Sequence, residues 1–479
     1  STGGASSSST CDSGCDTSTS TPTTGGPVTD ATSDTTTTMT GSTTETTDVT
    51  ATTEDFTTTA PITCVADQEC GGETPFCVDG DCVGCDSLDC SAIDPGKPVC
   101  AADLGLCVEC LENADCTTVE APACDVATAT CEPCSSHDQC ADTACNFETG
   151  ACFPKDSLLY VENTPEEPIG CSDVKPDYGG SPATPVCTLQ NAFVRLVPGV
   201  ATTIKLKIGT KPQNSPAALP DGDLIVAIVP EGKVKPSIVT PFAGPALTIG
   251  EGNTVFMDRI MLYNTVPTSD PLIACLGGVT GARLWLEEQR VFSGRTGIRA
   301  FNCQVHVRRS TITGNTIGGI DVDGDDAALA KLWLENSFVT ENNGTKFGAL
   351  RLTGAVDVDI LYSTIALNNS PFASIECING WSGALTIRNS AIVGADPHFG
   401  AGCGAPEVTN SFESSVTDKG ELGTVFSGYA EGVFQAKIDG ELEGVAIWQT
   451  GDPRTDQDEN LRPTNDGAED YAGADRPVL

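Results

Sequence analysis

Positive charge is scarce in this chain. Its 479 residues include 25 Lys and Arg against 66 Asp and Glu, which gives a net charge of −41. Both parts of the chain are acidic: residues 1–155 contain 26 acidic and two basic residues, and residues 156–479 contain 40 acidic and 23 basic residues. Because phosphate binding depends on clusters of Lys and Arg, this composition predicts no nucleic-acid partner and disfavours anionic membrane surfaces. It favours solubility and bound cations.

Long apolar runs are missing as well. No stretch reaches the roughly 18–20 apolar residues that a helix needs to span a bilayer. No signal peptide is visible, and we expect that a targeting segment has been removed before Ser1. Histidine is scarce, because His137, His306 and His398 are the complete set and are widely separated. Their spacing supports neither a Ser-His-Asp triad nor a His-based metal site.

Cysteine, by contrast, is abundant. Sixteen of the 24 cysteines lie in residues 64–152, a density typical of disulfide scaffolds in oxidising, extracytoplasmic compartments. They form four repeats, which are joined by CxxC steps. The repeats are Cys64, Cys70, Cys77 and Cys82; Cys85, Cys90, Cys100 and Cys107; Cys110, Cys116, Cys124 and Cys131; and Cys134, Cys140, Cys145 and Cys152.

These repeats have few large apolar side chains, so they cannot build a core alone. We therefore predict that disulfides hold residues 63–155 together. Zinc binding through the CxxC steps is the alternative. The sequence does not choose among the three pairings that four cysteines allow in each repeat.

Residues 1–62 have a composition of their own. Ser and Thr account for 34 of the first 60 residues, and Lys and Arg are absent there. Such a segment cannot bury enough apolar surface to offset its ordering entropy, so we predict a disordered stalk or linker. Ser/Thr-rich tracts with Pro are typical of O-glycosylated stalks, and an unmodified linker is the alternative. Cys11 and Cys15 either pair locally or cross-link to another chain.

Residues 156–411 repeat a pattern of alternating apolar positions, which predicts strands with one buried face. Segments that begin 21 to 29 residues apart align so that three positions are apolar in every segment. The rows are Val255, Leu284, Val305, Leu332, Val358 and Leu385; Met257, Leu286, Val307, Leu334, Ile360 and Ile387; and Leu262, Val291, Ile312, Val339, Ile365 and Ile392. Repeats of this length stack as a solenoid.

Turn residues and a third strand complete each predicted coil. Asn315, Asn342 and Asn368 share one repeat position and are predicted to stack as a ladder, since Asn tolerates left-handed backbone. A third apolar strand follows in several coils, for example at residues 298–300 and 320–322. We predict an all-β chain: a right-handed parallel β-helix over 156–411, preceded by the stalk (1–62) and the disulfide-rich module (63–155), and followed by a closing segment (412–479).

The opening LYVENTPEEPIGC…PVCTLQNAFVRLVPGVATTIKLKIGT, residues 159–210, resembles the start of pectate-lyase-like β-helix proteins. The tail DENLRPTNDGAEDYAGADRP resembles the closing segment of many such secreted proteins. The layout of stalk, cysteine repeats and β-helix is similar to that of myxobacterial cell-surface lipoproteins. The resemblance implies an extracellular or outer-surface location, with a lipid-modified cysteine before Ser1 as the membrane link.

The signatures of the family's enzymes are not found. The WiDH and RxPxxR motifs of pectate lyases and the NTD, GHG and RIK motifs of polygalacturonases are absent from the sequence. No catalytic residue can therefore be named, and the sequence favours a protein that is not an enzyme.

Six further cysteines lie in the β-helix region. Their positions predict the bridges Cys171–Cys187, Cys275–Cys303 and Cys377–Cys403. The first would close a loop, and the other two would join neighbouring coils, whose strands lie about 4.8 Å apart.

Calcium is the one cofactor for which candidate ligands exist. Asp321, Asp323, Asp325 and Asp326 lie close together, and oxygen ligands at such spacing suit calcium. A second acidic loop spans Asp452–Glu459. The alternative at the first site is cross-strand ion pairing, because Arg299 and Arg351 flank Asp321 on adjacent coils.

One outward position between the first two apolar rows is aromatic in four successive coils: Phe256, Trp285, His306 and Trp333. A flat aromatic strip suits the apolar faces of sugar rings, so these are candidate glycan-binding residues. The alternative is structural, with the rings stacked on one another or covered by a loop or by the closing segment.

Three functions compete at this stage. The leading hypothesis is a secreted or surface-anchored, non-catalytic binding or adhesion protein that presents a rigid β-helix to a polysaccharide or cell-surface glycan. The second is a structural subunit of an extracellular fibre or surface layer, which requires self-assembly. The third is a polysaccharide lyase or hydrolase with a divergent site.

Overall fold

A computed structural model describes the chain from residue 67 onward. The described residues are 67, 70, 74–79, 81–164, 170–174, 179–207, 213, 216–240, 243–266, 270–326, 328–378, 380–417, 420–430 and 432–477. The stalk, including Cys11 and Cys15, lies outside them. The described part contains no helix that is long and apolar enough to cross a membrane.

Each cysteine repeat is built around a short antiparallel hairpin. The hairpins pair Phe76–Val78 with Asp81–Val83, Val99–Ala101 with Leu106–Val108, Ala123–Asp125 with Thr130–Glu132, and Cys145–Asn146 with Ala151–Cys152. Short helical turns lie at Cys85–Ser87, Cys90–Ile93, Asn113–Asp115 and His137–Gln139. The few residues in each hairpin bury little apolar surface, so covalent bridges must hold the repeats.

The structure shows how the cysteines pair within the repeats, which the sequence did not decide. In the second, third and fourth repeats the first cysteine bonds the third and the second bonds the fourth, as in Cys85–Cys100 and Cys90–Cys107. The same pairing gives Cys110–Cys124, Cys116–Cys131, Cys134–Cys145 and Cys140–Cys152. In the first repeat the second cysteine bonds the fourth, Cys70–Cys82, and Cys64 lies outside the described residues. These sulfurs are bonded to each other, so they provide no thiolates for zinc.

Three parallel sheets form the solenoid, in agreement with the predicted parallel β-helix. Sheet 1 contains Leu158–Val161, Ala201–Leu206, Ile225–Pro230, Thr254–Asp258, Ala282–Glu287, Cys303–Arg308, Lys331–Glu335, Asp357–Leu361, Leu385–Arg388 and Glu407–Thr409. Sheet 2 contains Ser237–Thr240, Met261–Asn264, Arg290–Phe292, Thr311–Thr313, Phe338–Thr340, Thr364–Ala366, Ala391–Val393 and Phe412–Ser414. Sheet 3 contains Ala217–Leu219, Leu247–Ile249, Pro271–Leu276, Thr296–Phe301, Gly318–Gly324, Leu350–Gly354 and Ile375–Cys377.

The three apolar rows of the sequence are the core of this solenoid. Val255 pairs with Leu284, and Leu262 pairs with Val291, and the rows continue in register through the later coils. Their members are at most 4% exposed. The short helix Leu189–Phe193 begins at its N-cap Thr188 and buries Leu189 and Phe193 in the same core. The bridges Cys171–Cys187, Cys275–Cys303 and Cys377–Cys403 are the three pairs expected from the sequence.

The asparagine ladder lies between sheets 2 and 3. Asn315 donates from its amide to Asn342 Oδ1 at 2.9 Å, and Asn342 donates in the same way to Asn368 at 3.1 Å. The left-handed residues are not the asparagines but their predecessors, Gly314, Glu341 and Leu367. The asparagines therefore act through their side-chain amides, which satisfy buried backbone groups from one coil to the next.

The closing segment folds back along the outer face of sheet 2. Its strands Phe426–Ala430 and Val433–Ala436 form one hairpin, and Ala446–Ile447 pairs with Glu469–Asp470. Apolar side chains from both parts form a second core, which includes Phe338, Tyr362, Phe434 and Trp448. Arg462 is buried at its centre, where it pairs with Asp470 at 2.9 Å and lies 3.9 Å from the Tyr362 ring.

Candidate functional site

The outer face of sheet 1 carries the four aromatic residues as one column. The strands are in register, so Phe256 lies beside Trp285, which lies beside His306, which lies beside Trp333. The ring centroids are 6.1, 3.5 and 3.9 Å apart along this column, and the last two pairs are nearly parallel, at 8° and 11°. The rings therefore stack on one another, as the structural alternative predicted.

The fourth cysteine repeat covers one end of this column. Phe147 contacts both Phe256 and Trp285, with centroid distances of 5.8 and 5.6 Å. Phe153 meets Phe256 edge-on at 5.8 Å. Phe256 is fully buried as a result, and its cluster includes Ala144 from the same repeat. The covering element is thus the disulfide module rather than the closing segment.

The other end of the column is more open. His306 and Trp333 are partly buried, and Lys331 places its ammonium 5.7 Å from the Trp333 ring centroid. The next residue in the column is Asp359, which is exposed. Burial between the rings, together with the nearby Arg308 and Arg283, lowers the pKa of His306 to about 3. This imidazole is therefore neutral at physiological pH.

A cleft of about 540 Å³ borders the column, and three parts of the chain line it. Residues 132–138 come from the cysteine module, residues 453–459 from the closing segment, and the floor from sheet 1 and the turns that follow its strands. Glu287, Arg308 and Glu335 on the floor lie two residues after Trp285, His306 and Trp333 on the same strands. Rings and charges therefore share one surface, because side chains two apart on a strand face the same way.

The turns that border this cleft have an unusual backbone. From the strand Thr254–Asp258 onward, the chain leaves sheet 1 through one residue with positive φ, and three of these residues are Arg259, Glu288 and Arg309. Charged residues rarely adopt this conformation. Their side chains are held by ion pairs: Arg309 lies 2.6 Å from Glu287 and 3.1 Å from Glu459 of the closing segment.

Most charges of the cleft are already paired. Arg308 lies 3.2 Å from Glu335 and 3.5 Å from Glu287. Arg259 lies 2.8 Å from Asp258 and makes two hydrogen bonds to the carboxylate of Asp138 in the module, at 2.6 and 3.0 Å. Burial raises the pKa of Asp258 to about 7, although Arg259 opposes the shift. The cleft is therefore lined by a network of ion pairs that joins the cysteine module, the solenoid and the closing segment.

The structure brings no three of the predicted calcium ligands Asp321, Asp323, Asp325 and Asp326 within 4.8 Å of one another. Arg351 holds Asp321 with two hydrogen bonds, one of them 2.8 Å long, and Arg299 lies 3.9 Å away. Asp325 and Asp326 are exposed in the turn that follows. Among the residues that the structure describes, only cysteines meet the geometry of a three-ligand metal group, and those cysteines are disulfide-bonded. Ion pairing is thus what the structure shows at Asp321.

The cleft was not foreseen from the sequence. The charged floor could have been recognised in the sequence, because Glu287, Arg308 and Glu335 alternate in the sign of their charge at one repeat position. The walls could not have been recognised in this way, because Asp138 and Glu459 come from segments outside the repeat pattern.

Comparisons with known proteins give only distant likenesses. The model of a family of unknown function, DUF8331, matches residues 47–158, which are the end of the stalk and the cysteine module. A search of the curated proteins finds no match. The pectate lyase Pel9A resembles the chain over 68% of its length and 98% of the lyase, with 12% identity and a TM-score of 0.34.

A second solved structure is the GH136 lacto-N-biosidase from Eubacterium ramulus. It resembles the chain over 54% of its length and 67% of the biosidase, with 10% identity and a TM-score of 0.26. At these values neither likeness carries an argument about activity.

Proposed function

We propose that this chain is an extracellular, non-catalytic glycan-binding protein, and that the open end of the aromatic column on sheet 1 is its ligand surface. The observation that carries this proposal is the pair of partly buried, parallel rings of His306 and Trp333, 3.9 Å apart, beside a charged cleft. Apolar ring faces and nearby hydrogen-bonding groups are the two features that a sugar ring requires.

The covered end of the column restricts the proposed site. Phe256 and Trp285 lie against Phe147 of the module, so a ligand cannot reach their faces while the module is in place. We therefore assign ring-face contact to Trp333, which is followed in the column by Asp359 rather than by another ring. Phe256, Trp285 and His306 have a supporting role, since the imidazole lies between the two indoles. Lys331, Arg308 and Glu335 flank these rings and could hydrogen-bond sugar hydroxyls.

A binding role fits the paired state of the carboxyls better than a catalytic role does. A general acid or base must reach the substrate. The side chains of Asp258 and Glu287 are only 4% and 2% exposed, and both are held by arginines. The ten described disulfides agree with secretion into an oxidising compartment.

The test is a glycan array probed with the full chain, followed by product analysis on every hit. We expect retention of a glycan without turnover. New reducing ends would show that the chain is a hydrolase, and unsaturated uronates would show that it is a lyase. Glycan retention that is unaffected by Trp333→Ala would show that the assigned surface is not the binding site.

A further inference from the structure

Two buried polar side chains that line the cleft each have one atom with no hydrogen-bond partner in the described part of the chain. His137, in the wall formed by the cysteine module, is 5% exposed, and Glu287, in the floor, is 2% exposed. The unpartnered atoms are His137 Nε2 and Glu287 Oε2. Buried polar groups are nearly always hydrogen-bonded, so each of these atoms requires an explanation.

The two atoms have opposite hydrogen-bonding characters. The N–H of Cys145 donates to His137 Nδ1 at 3.0 Å, so this nitrogen carries no proton. The imidazole is therefore neutral with its hydrogen on Nε2, which can only donate. Glu287 Oε1 pairs with Arg309 at 2.6 Å, whereas Oε2 lies 3.5 Å from Arg308 without accepting a hydrogen bond. This carboxylate oxygen can only accept.

Arg308 joins the wall of the cleft to its floor beside these atoms. Its Nη1 donates to the carbonyl of Ser135 at 3.4 Å and lies 3.5 Å from Glu287 Oε2. Ser135 precedes His137 by two residues in the same wall. The wall that carries the free donor and the floor that carries the free acceptor thus meet at one guanidinium. Because both line the same cleft of about 540 Å³, one ligand can face both.

We propose that the cleft is a subsite for an uncharged, hydroxyl-rich sugar residue of the glycan, held by His137 Nε2 and Glu287 Oε2; the assignment rests on the proposed glycan-binding function and names the class of glycan. A sugar hydroxyl both donates and accepts, so neighbouring hydroxyls can satisfy the two atoms together. A carboxylate in their place cannot donate to Glu287, and an ammonium cannot accept from His137.

The charges of the cleft also disfavour a charged sugar. Seven acidic residues and three arginines line it, so a uronate would meet an excess of negative charge. An ammonium would have to take carboxylates from their arginines, as Arg309 pairs with Glu459 and Arg308 with Glu335. Separating such a pair leaves an uncompensated charge. Neutral hydroxyls can bond to paired charged groups without separating them.

The cleft lies within reach of the ring that we assign to the ligand. Glu335, in the floor, follows Trp333 by two residues on the strand Lys331–Glu335, and both side chains lie on its outer face. Two residues of a strand span about 7 Å. A glycan of two or more sugar residues can therefore rest on Trp333 and enter the cleft.

The first experiment probes the full chain with an array of neutral oligosaccharides, deacetylated amino-sugar oligosaccharides and oligouronates. We expect retention of neutral oligosaccharides, with no oligouronate or amino-sugar oligosaccharide retained as strongly. Equal or stronger retention of either charged class would overturn the subsite and leave the proposed function standing. No retention of any class would overturn the proposed function as well.

Two matched variants locate the subsite. Ser135→Trp adds a ring at an exposed residue of the cleft wall, and Ala102→Trp adds one at an exposed residue of the second cysteine repeat, outside the cleft. We expect the first to lower the affinity for the best neutral oligosaccharide by about tenfold or more, with Tm nearly unchanged, and the second to leave the affinity unchanged.

The same affinities separate the subsite from the proposed function. An affinity that falls in Trp333→Ala but not in Ser135→Trp would leave the glycan surface at Trp333 standing and show that the cleft is not part of it. An equal fall in Ser135→Trp and Ala102→Trp would also overturn the subsite. If Ser135→Trp does not fold, Arg454→Trp, at an exposed residue of the wall formed by the closing segment, gives the same discrimination.

Discussion

Trp285 and His306 stack with their ring centroids 3.5 Å apart and their planes 8° from parallel. The contact depends on the register of two neighbouring coils, which sets the two residues directly opposite each other. It links an indole that the cysteine module covers to an imidazole at the open end of the column. The contact thus joins the covered end of the column to the end that we propose as the ligand surface.

Phe256→Ala tests the covered end of the column. Phe256 is fully buried between sheet 1 and the fourth cysteine repeat, so its removal should lower the free energy of unfolding by about 3–5 kcal/mol. Urea unfolding measures the change. Phe372→Ala, at a ring that is 48% exposed, is the control and should change stability by about 0.5 kcal/mol or less. Equal effects of the two changes would mean that the module does not cover Phe256.

Asn342→Ala tests the asparagine ladder. Asn342 accepts from Asn315 and donates to Asn368 and to the carbonyl of Ile312. Its loss leaves buried polar groups unsatisfied, at about 1–3 kcal/mol for each group. We expect a clear fall in Tm, whereas Asn343→Ala at the exposed neighbour should leave Tm nearly unchanged. A ladder variant as stable as the control would contradict the role of these amides.

The ladder also shows how much could be predicted from the sequence. Repeated positions identified the buried rows, the stacked asparagines and the inter-coil bridges, because a coil meets its neighbour at a fixed sequence spacing. The pairing of Asp138 with Arg259, and of Glu459 with Arg309, follows no period, so the cleft could not be foreseen. Charge density suggested calcium at Asp321, which stays a prediction. The structure shows a hydrogen bond from Arg351 to that carboxylate, which the sequence offered as the alternative.

Acid should destabilise the chain partly through His137. Burial lowers the pKa of His137 to about 3, from 6.5 for the free side chain, and its Nδ1 accepts a hydrogen bond from the N–H of Cys145 at 3.0 Å. The folded state therefore favours the neutral imidazole. This contribution to stability is complete above pH 6.5 and is lost as the pH falls from 6.5 toward 3, by up to about 1.4 kcal/mol per pH unit.

His137→Asn keeps a short hydrogen-bond acceptor but does not titrate. We expect its stability deficit relative to the natural chain to be largest near neutral pH and to shrink as the pH is lowered to 4.5. The raised pKa of Asp258 works in the opposite direction in both proteins and cancels in this comparison. A deficit that is constant with pH would show that His137 is accessible and titrates normally.

Glu413 bears on the hypothesis of a fibre subunit. Glu413 lies in the last coil, where it pairs with Ile392 of the preceding coil and continues the buried row to which Ile392 belongs. The side chain of Glu413 is exposed. A charged side chain at an inward-facing position of an edge strand disfavours pairing of that edge with a strand of another molecule. We expect the natural chain to be free of end-to-end polymers, and Glu413→Leu to associate with rising concentration in analytical ultracentrifugation.

Glu441→Leu, at an exposed residue of the closing segment, is the control for added hydrophobicity. Polymers of the natural chain, or equal association of both variants, would show that Glu413 does not protect this end of the solenoid.

The central claim, that the open end of the aromatic column binds a glycan, depends most directly on Trp333. The decisive measurement is the affinity of Trp333→Ala for the best array ligand, with Tm measured alongside and Phe372→Ala as the control. We predict an affinity loss of about tenfold or more, equivalent to about 1.4 kcal/mol, in a protein that stays folded because Trp333 is only partly buried. Unchanged affinity in Trp333→Ala would contradict the account and leave the column as packing alone.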